Sequence, residues 1–179
     1  RSSTLSGQPN LASRILFTIA LSTSALSLPP FFIALTQFFV GSGMALWLSR
    51  LGAVCSFVTS AGFIGVAFVP IDISLQVHNL FLDIAFLSFL LAFLQLFLAA
   101  LLTPGFPRLF VRVFGVFAVL LTGYIILLIF GPPAGTVGWI VVQATGQKVI
   151  VYASILTVLI QALSVQPLLM KNAQPRPPL

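Results

Sequence analysis

Acid is what this chain nearly lacks: its 179 residues include two carboxylates, Asp72 and Asp83, together with one histidine, His78, and one cysteine, Cys55. Charged residues of either sign make up 6% of it, against about 25% in an ordinary soluble domain. A water-solvated globule is excluded on that ground. A single thiol cannot form an intrachain disulfide, so the redox compartment stays open. One histidine and one loop carboxylate fall short of the three protein ligands of a catalytic zinc, and no metal site is expected. There is no GxSxG elbow, no glycine-rich phosphate loop and no second histidine, so hydroxyls such as Ser88, Thr122 and Ser154 have no activating partner and no catalytic residue is assigned. The eight basic residues are spread thinly. Without a cluster that could follow a phosphate backbone, nucleic acid is excluded as a partner.

What is there is hydrocarbon: 59% apolar residues and a mean hydropathy of +1.17. The apolar runs are punctuated by Gly and Pro, which predicts an all-α, polytopic transmembrane helix bundle of five spans. At about 1.5 Å per residue, each run covers the roughly 30 Å of a bilayer core. Residues 1–13 read as a loop, with Asn10 or Ser13 as helix cap. The bundle proper is expected over 14–167, with spans at about 14–39, 47–69, 77–102, 108–130 and 147–165. Pro29-Pro30 should kink the first span, with Ser22, Ser24 and Ser27 placed to satisfy freed carbonyls. The apolar VGWIVV segment before the fifth span either lies in the interface or starts that helix early. Residues 168–179 form a proline-rich basic tail whose last six residues are expected to be disordered. The chain begins at Arg1, and RSSTLSGQPNLAS lacks the order of a signal peptide, so a preceding segment with room for a sixth span is expected.

Small residues at Gly52, Ser56, Ala61 and Gly65 predict the face by which the second span packs, since helices in lipid associate where backbones approach closely. No internal repeat stands out, and five spans cannot form two inverted halves, which disfavours a repeat-built transporter. Arg50, Arg108, Arg112, Lys171 and Arg176 lie on one side of this topology, and Arg1, Arg14 and Lys148 on the other. The richer side, with the C-terminus, is expected in the cytoplasm.

The ionisable residues gather at the second turn between spans. Asp72 and His78 are six residues apart across a short loop. They make either a proton-handling pair or a helix cap with a histidine at the water boundary. Asp83 lies about two turns into the third span, where a carboxylate costs about 2.5 to 3.5 kcal/mol at the membrane centre and needs a partner. Gln76, Asn79 and Asp83 share one helix face, and Lys148 and Arg14 begin spans on the same membrane side. Asp83 is therefore read either as an interhelical ion pair with Lys148 or Arg14, or as a proton or substrate site. Phe alone supplies 18 residues, which serve packing or line a groove for lipid, quinone or pigment. His78 at a span end also leaves haem ligation open. No cofactor is predicted, and lipid is the expected neighbour.

Gly62, Gly65, Pro70, Asp72 and His78, in the order GxxGVAFVPID followed by a short loop to the histidine, carry a family resemblance, with GQKVIVY further on. The chain resembles the small six-span bacterial and archaeal membrane proteins of a domain-of-unknown-function family, distantly similar to the DRAM and FGF-receptor-activating-protein families. The resemblance covers about residues 10–165 and implies a helix before the Arg14 span. It departs at Gln147-Lys148, where that family commonly carries an acid. Two functions follow from the residues. The first is a non-catalytic membrane subunit or scaffold packing against lipid and other transmembrane subunits of a larger complex. The second is a lipid-handling or small-molecule protein with a polar mouth at Asp72, His78 and Asp83. A third function, a membrane hydrolase, is the weakest of the three.

Overall fold

The computed structural model describes residues 11–39, 43–71, 73–133 and 136–173, with side chains as far as Ser164. Asp72 and Asn10 lie outside the described residues, as do the last six residues of the chain. Five helices follow one another: α1 (Leu11–Thr36, continued by a 3-10 turn over Gln37–Phe39), α2 (Gly43–Phe68), α3 (Leu75–Leu101), α4 (Arg108–Phe130) and α5 (Val137–Ala173). The fold is an all-α helical bundle, and all five helices are long and apolar enough to cross a membrane.

Each helix packs antiparallel on the one before it. The hydroxyl of Thr18 near the start of α1 donates to the Ala67 carbonyl at the end of α2, at 3.2 Å. At the opposite end, the rings of Phe39 and Phe106 stack with centroids 4.9 Å apart. The tightest seam joins α2 to α3. A side-chain carbon at Gly52 would meet the Ala92 carbonyl at 3.1 Å, and Gly62 lies against Ala85. Between them, Thr59 and Ser88 share a hydrogen bond of 2.9 Å. These contacts need small residues on both helices, because only then can backbones come near enough for dispersion to act without a hydrophobic drive from water. Outside the seam, Phe32, Phe89, Phe93, Phe114 and Phe117 are buried and meet mostly edge to face, the arrangement that ring quadrupoles favour.

Several local expectations change. Gly52 and Ser56 are buried in the α2 seam and Phe81 covers Gly65, but Ala61 is exposed, being about 100° around the helix from each neighbour. Gly62 takes its place. Ser13 is inside α1 and so is not its cap. The α1 helix continues through Pro29 and Pro30, yet the Ser27 hydroxyl donates to Ser24 and not to the carbonyls of Ala25 or Leu26 that the prolines free. The Ser22 hydroxyl is buried without a partner. Of the two readings of the VGWIVV segment, the early start holds: the fifth helix begins at Val137, where the Thr136 hydroxyl accepts from the Trp139 N–H at 3.2 Å and caps it. It also runs on to Ala173, through the first part of the expected tail.

Candidate functional site

The α2 helix ends before Pro70, which leaves its last carbonyls without intrahelical donors. The carbonyl of the residue just past the helix, Val69, is satisfied from the next helix: the His78 ring, on the first turn of α3, has Nδ1 2.7 Å from its oxygen. A carbonyl only accepts, so Nδ1 carries the proton. Ser74 holds α3 in place for this contact, its hydroxyl accepting from the Val77 N–H at 3.4 Å and its carbonyl from the His78 N–H at 3.0 Å. The ring is thereby oriented, with 8% of the residue exposed. Its other nitrogen, Nε2, makes no hydrogen bond to a described residue.

His78 lines a cavity of about 280 Å³ shared by α1, α2, α3 and α5, together with Arg14, Phe17, Thr18, Pro70 and Gln147. Below it, toward the membrane interior, lies a second cavity of about 340 Å³ in the cleft between α1 and α5. Its floor is formed by Phe63, Phe86 and Phe89, with Ser24 and Ser154 as its hydroxyls. Phe17 lines both. The larger hollow between α4 and α5, about 500 Å³, contains no charged group and is mostly aliphatic.

The remaining candidates divide. Arg14 and His78 come together; Asp83 and Lys148 are exposed and line neither cavity. Among the described residues Asp83 makes no ion pair with Arg14 or Lys148. Gln76 is exposed, and Asn79 has its Oδ1 buried without a hydrogen bond. No three of His, Cys, Asp and Glu among the described residues could hold a metal ion.

Three buried or cavity-lining polar positions were not singled out as site residues in the sequence. Thr18 and Gln147 line the histidine cavity, and Gln161 is fully buried with both amide atoms lacking partners. A signal was present: Gln143, Gln147, Ile150, Ser154, Thr157 and Gln161 recur at spacings of four and three, which places them on one face of α5. Tyr124 is a further buried polar group, packed on Gly146 beside Gln147, with no hydrogen bond of ordinary geometry to its hydroxyl. No family model, no curated protein and no solved structure matches this chain, so its function is read from its own geometry.

Proposed function

We propose that this is a non-catalytic integral membrane protein that holds a lipid chain in the cleft between α1 and α5. One observation carries this reading: a polar cavity at the end of the bundle and an apolar cavity beneath it meet at Phe17. Together they have the polarity order of an amphiphile. The apolar cavity, at about 340 Å³, is within the range of about 300 to 1,000 Å³ typical of small-molecule sites. The mouth is furnished by Arg14, Thr18, His78 and Gln147, so of the two functions drawn from the residues the lipid-handling one is favoured over the scaffold. Asp83 takes no part in this mouth.

The test uses the full chain reconstituted with a phospholipid that carries a photoactivatable group in its acyl chain. Ser154→Phe, which fills the cleft, is expected to reduce crosslinking to α1 and α5 several-fold relative to Ile126→Phe on the exposed side of α4. Equal crosslinking in the two variants rejects the reading.

A further inference from the structure

We infer that the cleft selects its lipid by chain length: it takes one acyl chain, from the leaflet on the His78 side, and the rings of Phe32 and Phe93 stop that chain near the bilayer midplane. The inference rests on the cleft holding a lipid chain, and it adds how long that chain can be.

Two helices give the depth. On α1 the lining runs from Phe17, at the mouth, to Leu28, eleven residues on and therefore about 16 Å deeper at about 1.5 Å per residue. On α3 the interval from His78 at the mouth to Phe89, the deepest lining residue of that helix, is eleven residues as well. That depth is about half of the roughly 30 Å hydrocarbon core, and Phe89 stands near the middle of α3. A chain entering at the mouth therefore ends within its own leaflet.

The next turn of each helix closes the cleft. Phe32 follows Leu28 by four residues and Phe93 follows Phe89 by four, so each lies on the same face one turn deeper. The two rings meet edge to face with centroids 5.4 Å apart, and both residues are fully buried. Phe93 is backed in turn by Phe114 and Phe117 of α4, at 5.4 and 4.4 Å. Rings packed in this way cannot swing aside without opening a void, which close-packed interiors resist. The volume fits one chain: at about 30 Å³ for a group the size of a water molecule, a cavity of about 340 Å³ holds on the order of ten methylenes. An extended chain with bonds of about 1.5 Å at the tetrahedral angle advances about 1.25 Å per carbon, so a depth of about 16 Å takes about thirteen carbons.

The experiment reconstitutes the full chain with the crosslinking lipid and competes it, at a low and equal mole fraction, with phosphatidylcholines whose saturated chains run from about eight to about eighteen carbons, a range that brackets one leaflet. Competition is expected to rise several-fold with length up to about thirteen carbons and no further beyond that break. Phe32→Ala opens the floor by one helical turn, about 5 Å, and should move the break about four carbons longer. Ile155→Trp narrows the deep end from an exposed position on α5 and should move the break several carbons shorter, so the floor is tested even where Phe32→Ala does not fold. Competition without a break, a folded Phe32→Ala variant that leaves the break in place, or an Ile155→Trp variant that does so overturns the length selection. In each of those cases a Ser154→Phe variant that still lowers crosslinking leaves the cleft reading standing. If that variant is also without effect, both fail.

Discussion

Gly62 on α2 packs directly on Ala85 of α3: a carbon added at Gly62 would stand 2.9 Å from the Ala85 backbone and from its methyl carbon. Backbone cannot yield as the end of a flexible side chain can, so even a methyl must push the helices apart. Gly62→Ala is expected to destabilise the bundle by about 1 to 3 kcal/mol, the usual cost of overpacking. Gly123 on α4 has nothing within 4 Å of the same position, and Gly123→Ala should stabilise by about 0.5 to 1 kcal/mol through helix propensity. Thermal unfolding in detergent measures both. Equal effects of the two substitutions would mean that the seam is not close-packed.

Gln161 is fully buried with neither amide atom hydrogen-bonded. A buried polar group without a partner costs about 1 to 3 kcal/mol, and replacing it with an apolar group of similar size removes that cost. Gln161→Leu should therefore raise the unfolding temperature. A fall would show that the amide has partners in the folded protein.

Asp83 stands apart from Arg14 and Lys148, so removing one charge should not strand the other. Double-mutant cycles of Asp83→Asn with Lys148→Gln and with Arg14→Gln should be additive to within about 0.5 kcal/mol. Coupling well above that value in either cycle would establish the ion pair that the sequence suggested.

The antiparallel order of the helices puts Ile71 at one end of the bundle and Arg108 at the other. In a Cys55→Ala background, Ile71→Cys and Arg108→Cys should be labelled from opposite faces of the membrane. The Arg108 face should be cytoplasmic, since Arg50, Arg108 and Arg112 gather there. Labelling of both from one face would overturn the five-span order.

Much of the fold was legible because membrane helices announce themselves locally. A run of apolar residues must satisfy its own backbone in lipid, so length and hydropathy alone identify α2, α3 and α4 to within a few residues, and Gly-Pro breaks mark their ends. The small residues at Gly52 and Ser56 likewise indicated a packing face. The start of α5 was left between two readings, interface or early helix, because the Thr136 cap competes with the glycines around it. The site itself was decided by the tertiary structure. The residues lining its mouth, Arg14, Thr18, His78 and Gln147, come from three helices and are separated by up to 133 positions of sequence, as their numbers show. No local pattern brings them together; packing of α1, α2, α3 and α5 does. Asp83 looked central because acid is scarce in this chain, but rarity says nothing of direction. About 140° of helix separates it from His78. That rotation turns the histidine toward the cavity and leaves the carboxylate outside it.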